Sequence, residues 1–183
     1  DNGIYDVKLT SVKGQLTDHY NPATKTVNLS QEVFYGRNVA AAAVAAHEVG
    51  HAVQHARSYA WLNLRSALVP LQNVSATIIN IIFIGLFFGS FLLGSFLPMN
   101  TALLIIIACY AIFTLFALIT LPVEFDASRR ALIWLGSSGV TTYQIHGKAE
   151  SALRWAASTY VIAALSSLAT LLYYLTMFMG GDE

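Results

Sequence analysis

The chain has 183 residues, of which 56% are hydrophobic and only 11% are charged, and its mean hydropathy is +0.57. Soluble domains carry about 25% charged residues, so this composition excludes an ordinary soluble domain and indicates a membrane protein. The formal net charge is zero, and without a basic face or an aromatic stacking set we expect no nucleic-acid partner. A single cysteine, Cys109, excludes a disulfide framework and a thiolate metal site.

Residues 1–65 are predicted to form a small, partly exposed domain. Two short alternating segments, "VKLTSV" at 7–12 and "TVNLS" at 26–30, lie on either side of "DHYNPATK" at 18–25. Alternation is typical of strands, and Asn-Pro favours a turn. We therefore predict a β-hairpin or small sheet here.

An alanine-rich helix is predicted to follow Asn38, which is a suitable N-cap. Its sequence is "VAAAAVAAHEVGHAVQHA", residues 39–56. On a helical wheel, His47 and His51 lie nearly opposite a face of small apolar residues: Val39, Ala42, Ala46, Val49 and Val53. We predict that the helix packs by the apolar face and presents its histidines on the other.

The motif "HEVGH" at 47–51 has the H-E-x-x-H spacing of zinc peptidases. Histidines four residues apart on a helix share one face, so His47 and His51 can converge on one Zn²⁺. Glu48 points beside the metal, where a carboxylate can move a proton from water to a leaving amine. Gly50 allows another backbone to approach closely.

Two long uncharged runs predict three transmembrane helices. Residues 66–121 are predicted to form a helical hairpin with spans at about 69–96 and 101–121, reversing at "FLPMN". Residues 122–154 are predicted to form helices on the same side as the domain at 1–65. A third span is predicted at 155–179, followed by a tail at 180–183.

A catalytic zinc site normally has three protein ligands, so a third is needed. His55 lies about 12 Å along the helix axis from His47, too far for both to bind one ion. His19 and His146 are possible. The better candidate is Glu124 in "LPVEFDASRRAL", directly after the second span.

The surroundings of Glu124 support this choice. Pro122 suits the first turn of a new helix, which we predict to begin there. Ser128 lies on the Glu124 face and could orient it, whereas Asp126 points elsewhere.

The basic residues predict the orientation in the bilayer. They lie on one side of the predicted spans, at Arg57, Arg65, Arg129, Arg130, Lys148 and Arg154. The positive-inside rule then predicts that the histidines face the cytoplasm and the C-terminus faces outward.

Four segments, in order over nearly the whole chain, carry a family resemblance. They are "LTDHYNPATKTVNLS", "VAAHEVGHAVQHA", "LPVEFDASRRAL" and "AASTYVIAALSSLATLLYYL". Together they resemble the neutral zinc metallopeptidases of bacterial membranes, the YugP-like family. The resemblance implies a membrane-embedded zinc endopeptidase with His47 and His51 as ligands, Glu48 as base and Glu124 as third ligand.

Two departures accompany this resemblance. Family members usually carry a further N-terminal span, and the chain starts at Asp1 without methionine, so we expect a truncation. The chain also has a looser likeness to the HtpX and Ste24 membrane proteases, whose glutamate is followed four residues later by an aspartate. Ser128 stands at that later position here.

The sequence thus predicts a mainly α-helical membrane protein with a zincin-like, gluzincin-type helix, acting as a zinc endopeptidase on membrane or membrane-proximal proteins at the cytoplasmic face of a bacterial membrane. An edge strand in "LTDHYN" could align the substrate, with His19 or Tyr20 nearby. A catalytically silent metal-binding scaffold or adaptor is the alternative. A transporter or channel is disfavoured because the predicted spans lack ionisable residues.

Overall fold

The structure is a computed structural model that describes residues 2–88 and 98–180. Its contacts divide the chain into two compact units. One comprises Asp1–Asn63 with Leu121–Tyr160, and the other comprises Leu64–Thr120 with Val161–Glu183.

A three-stranded sheet begins the first unit, with strands β1 (Lys8–Val12), β2 (His19–Asn21) and β3 (Thr26–Ser30). The strand order is β1-β3-β2, with β1 parallel and β2 antiparallel to the central β3. The predicted small sheet is confirmed. Its pairing differs from a simple hairpin, because part of the predicted turn is strand β2.

The hairpin therefore joins β2 to β3, and its turn is shorter than predicted. The Asn21 side chain accepts hydrogen bonds from the backbone N–H groups of Ala23 and Thr24, at 3.0 and 3.3 Å. Such a side-chain-capped turn lets the chain reverse within a few residues. The preceding residues 13–18 then carry the chain across from β1 at one edge to β2 at the other.

Five helices follow: α1 (Gln31–Phe34), α2 (Val39–Ala56), α3 (Ala60–Phe88), α4 (Met99–Ser137) and α5 (Tyr143–Gly180). Three of them, α3, α4 and α5, are long and apolar enough to cross a membrane. The three predicted spans are confirmed. Residues 89–97, which include the end of the first predicted span and the start of the predicted reversal, lie outside the described residues, as do residues 181–183 of the predicted tail.

Helix α4 corrects the expectation that a new helix begins at Pro122. The proline lies inside a continuous helix from Met99 to Ser137. Proline removes only one backbone hydrogen bond, to the carbonyl of Leu118, and long apolar helices tolerate such a gap. Glu124 therefore projects from a helix that continues past the proline.

The core of the first unit has two parts around α2. Small and aliphatic residues of α2, α4 and α5 form one part: Ala43, Ala46, Ala131, Leu135, Ala149 and Leu153. The other part joins the sheet to α2 through Val27, Leu29 and Ala52. Alanines at these contacts let the helix backbones approach closely, which places α2 beside α4.

The prediction of one packing face on α2 was wrong in part. Val49 on the supposed packing face is 45% exposed, whereas His51 and Glu48 on the other face are buried. The helical wheel predicted the wrong buried face because it shows the hydrophobicity of α2 alone and not the elements that surround the helix. The polar face is buried because it meets polar groups of α4.

In the second unit, polar side chains on the apolar helices bond to their own backbone. The hydroxyls of Ser75, Thr114 and Thr120 donate to carbonyls one turn earlier, at 2.8–2.9 Å. Such bonds satisfy hydroxyls where water is excluded.

Candidate metal centre

Helix α2 places two imidazoles side by side. Its start is fixed by Asn38, whose side chain accepts a hydrogen bond from the Ala41 N–H at 2.8 Å. The His47 and His51 rings lie one turn apart, with centroids 4.7 Å from each other and planes nearly perpendicular. Their Nε2 atoms face α4.

Helix α4 supplies a carboxylate between these rings. Glu124 Oε2 lies 3.2 Å from His47 Nε2 and 3.5 Å from His51 Nε2. The glutamate is only 2% exposed. One ligand atom from each of the three residues lies within 4.8 Å of the others. The structure therefore brings together His47, His51 and Glu124, which are 77 positions apart at the widest along the chain.

Gly50 makes this approach possible. A Cβ atom at this position would lie 2.8 Å from the carbonyl oxygen and 3.2 Å from the Cα of Ala127. Only a residue without a side chain can therefore occupy the contact between α2 and α4. The expected close backbone approach is therefore found between Gly50 and Ala127. Gly50 is adjacent to His51 on α2, and Ala127 is one turn from Glu124 on α4.

Two of the three distances between the candidate ligand atoms match those of a tetrahedral zinc site. Bonds of about 2.0–2.1 Å in a tetrahedral site separate neighbouring ligand atoms by roughly 3.3–3.4 Å. The two distances to Glu124 Oε2, 3.2 and 3.5 Å, bracket this value. Two imidazole nitrogens and one carboxylate oxygen also form a ligand set of catalytic zinc sites, with the fourth position left for water.

Electrostatics around His51 favour a positive charge at this point. Burial alone lowers the pKa of His51, but the hydrogen bond and charge of Glu124 outweigh it and raise the pKa above its ordinary value. Either a proton or a metal cation between the imidazole and the carboxylate supplies this positive charge.

Glu48 lies beside this group without belonging to it. Burial raises the pKa of Glu48 above its ordinary value, and the nearby His51 and His47 oppose this shift. The Tyr20 backbone in strand β2 also lies close enough to this carboxylate to lower the pKa of Glu48. A buried carboxyl of raised pKa is a stronger base than an exposed glutamate.

The far side of each imidazole has a different partner. His47 Nδ1 lies 3.1 Å from Ser128 Oγ, and His51 Nδ1 lies 3.0 Å from Gln54 Oε1. Ser128 was expected to orient Glu124, and the structure places its hydroxyl against His47. The serine comes one turn after Glu124 on α4, so it reaches the ring that Glu124 also touches.

Gln54 is the residue that sequence reasoning missed. Its side chain is completely buried, and its amide nitrogen donates to Val123 O at 2.8 Å and to Asp126 Oδ2 at 2.9 Å. Asp126 therefore does not face the three-residue group directly, but it contacts the partner of His51. The available signal was the spacing, because Gln54 follows His51 by three residues on the same helix.

The remaining histidines lie elsewhere. His55 Nδ1 is 2.8 Å from the Tyr20 hydroxyl. His19 is exposed, with Nδ1 2.7 Å from Thr17 O and Nε2 3.2 Å from the Asn28 amide. His146 Nδ1 lies 2.8 Å from Thr141 Oγ1. None of these three belongs to the group that Glu124 completes.

Comparison with known proteins now identifies the family. The family described as "Putative neutral zinc metallopeptidase" matches residues 1–179. The chain belongs to this family. Among curated proteins, the "Putative membrane protease YugP" of Bacillus subtilis is 43% identical over 182 residues, covering 100% of this chain and 77% of the relative. No solved structure matches.

Proposed function

We propose that the protein is a membrane-embedded, zinc-dependent endopeptidase that hydrolyses peptide bonds of membrane or membrane-proximal proteins at the cytoplasmic face. The observation that carries the proposal is the convergence of His47, His51 and Glu124 beside the buried Glu48. The three long apolar helices support a place in the lipid bilayer. The name of the Bacillus relative, a membrane protease, supports a peptide or protein substrate.

His47 Nε2, His51 Nε2 and a Glu124 carboxylate oxygen would hold the zinc ion. When bound, zinc polarises the scissile carbonyl and makes water a better nucleophile at neutral pH. The carboxylate of Glu48 accepts the proton of the attacking water and returns it to the leaving nitrogen. Its burial suits this role, because a base of raised pKa holds the transferred proton more firmly.

Strand β2 is the proposed substrate-aligning edge. Among the described residues it pairs only with β3, so no strand occupies its other edge, where an extended peptide could add. The Tyr20 backbone at the centre of β2 is next to Glu48. A peptide added to this strand would lie near the base, with Tyr20 and His19 as positioning residues.

The cytoplasmic orientation rests on the basic residues that flank the apolar helices. Arg129 and Arg130 follow the apolar part of α4, and Lys148 and Arg154 precede that of α5. Such residues favour the cytoplasmic side. The C-terminus then faces outward.

Peptidase activity tests the proposal most simply. Zinc-loaded protein in detergent should cleave an unstructured protein such as casein, and Glu48→Gln should slow cleavage by about 10²–10⁴-fold while zinc remains bound. Equal cleavage by parent and Glu48→Gln would reject Glu48 as the base. Zinc binding by a parent that cleaves no unstructured or membrane-derived peptide would favour the scaffold alternative.

A further inference from the structure

Gln54 occupies an unusual position for an uncharged polar side chain. It is completely buried on α2, and all the polar atoms of its amide contact partners in the described structure. These partners lie on both α2 and α4. An amide that is buried in this way holds its neighbours in fixed positions, because rotating it would leave several polar groups unsatisfied.

The partners determine the orientation of the amide. The Val123 carbonyl can only accept hydrogen bonds. The Asp126 carboxylate pairs with Arg129 and Arg130 and is therefore ionised, so it too can only accept. The NH₂ group of Gln54 must face these two acceptors and uses both its hydrogens there. Its oxygen therefore faces His51.

This orientation fixes the proton on His51. The Gln54 oxygen can only accept, so Nδ1 of His51 must carry the hydrogen across their 3.0 Å contact. The lone pair of the ring then lies on Nε2, the atom that faces Glu124. His47 differs, because the Ser128 hydroxyl on its Nδ1 can both donate and accept.

We propose that Gln54 is the positioning residue of this site, holding His51 with its Nε2 lone pair toward the metal and linking the ring to the negative charge of Asp126. Direct carboxylate–histidine contacts perform this task in many zinc sites. Here the carboxylate acts through an intervening amide, which also ties α2 to α4. The inference rests on the proposed zinc site.

The test compares zinc affinity in the full chain, measured by competition with a chromophoric chelator. Gln54→Leu keeps the side-chain size but removes the amide, and we expect it to weaken zinc binding about 10–100-fold. Leu135→Ala is the matched control, because Leu135 is equally buried in the same unit but packs in the cluster of alanine and leucine side chains. It should lose stability and keep the parent's zinc affinity.

A second readout separates positioning from general loosening. In zinc-loaded, ¹⁵N-histidine-labelled protein, the Nδ1 proton of His51 should give a slowly exchanging, hydrogen-bonded signal in the parent and in Leu135→Ala. Gln54→Leu should lose that protection.

A negative charge at position 54 should also lower the zinc affinity. Gln54→Glu keeps an acceptor for His51 but places a carboxylate against Asp126 and the Val123 carbonyl, so it should also weaken zinc binding. Adding Asp126→Asn should recover part of the loss, because the new amide can donate to the introduced carboxylate.

The outcomes distinguish the two claims. The inference is overturned if the parent binds zinc and Gln54→Leu keeps both the parent's zinc affinity and its His51 signal. The proposed function stands in that case. Equal losses of affinity in Gln54→Leu and Leu135→Ala also overturn it. A parent that binds no zinc overturns the proposed function and, with it, the inference.

Discussion

The contact between Gly50 and Ala127 gives a quantitative prediction for Gly50→Ala. The added Cβ atom would lie 2.8 Å from the Ala127 carbonyl oxygen, whereas ordinary contacts begin at 3.4 Å. The obstacle is backbone and cannot rotate away. Helices α2 and α4 must therefore separate locally by about 0.6 Å, which exceeds the roughly ±0.2 Å tolerance of metal–ligand distances.

Stability and zinc affinity should both report this separation. Replacing glycine by alanine inside a helix gains about 1 kcal/mol, but overpacking costs about 1–3 kcal/mol. Gly147→Ala on α5 is the matched control, because a Cβ there meets nothing within 4 Å. Gly50→Ala should be about 1–3 kcal/mol less stable than Gly147→Ala, a difference in Tm of roughly 2–12 °C.

The assay is thermal unfolding of both variants in detergent, without metal, followed by zinc competition. We expect Gly147→Ala to match or exceed the parent's Tm and to keep its zinc affinity. Gly50→Ala should fall below Gly147→Ala in Tm and should bind zinc more weakly. If Gly50→Ala is as stable as Gly147→Ala and binds zinc equally well, the argument from close helix approach is wrong.

Three further predictions follow from the site and the core. Glu48→Gln should keep stoichiometric zinc and lose peptidase activity by about 10²–10⁴-fold, because the general base is gone. Elemental analysis measures the zinc and a cleavage assay measures the activity, and retained activity would contradict the prediction. Zinc at about 100 times its Kd should stabilise the parent by about 2.7 kcal/mol, but should not raise the Tm of His47→Ala; equal shifts would place the ion elsewhere. Leu135→Ala should cost about 2–5 kcal/mol, since this leucine is fully buried, and an unchanged unfolding midpoint would contradict its place in the core.

The sequence predicted the elements better than their pairing. The uncharged runs predicted three long apolar helices, and Asn38 with the alanine-rich run predicted α2, because these signals are local. The parallel pairing of β1 with β3 depends on a crossing of the chain that no local pattern encodes. The continuous helix through Pro122 depends on a backbone that tolerates one missing hydrogen bond.

The same distinction applies to the candidate site. The spacing of His47 and His51 predicted two adjacent imidazoles, and the position of Glu124 after an uncharged run suggested the third group that the structure brings to them. The role of Gln54 could not be predicted, because it depends on which groups of α4 lie opposite. Asp126 was expected to point away from Glu124, and its link to His51 through Gln54 could not be predicted for the same reason.

The metal content of the purified protein tests the central claim most directly. The parent, Glu124→Ala and His55→Ala would be prepared in detergent, supplied with zinc, desalted and analysed by elemental analysis. We predict stoichiometric zinc in the parent and in His55→Ala, whose ring contacts Tyr20 instead, and loss of zinc in Glu124→Ala. Zinc retained without Glu124, or absent from the metal-supplied parent, would contradict the two-histidine, one-glutamate site.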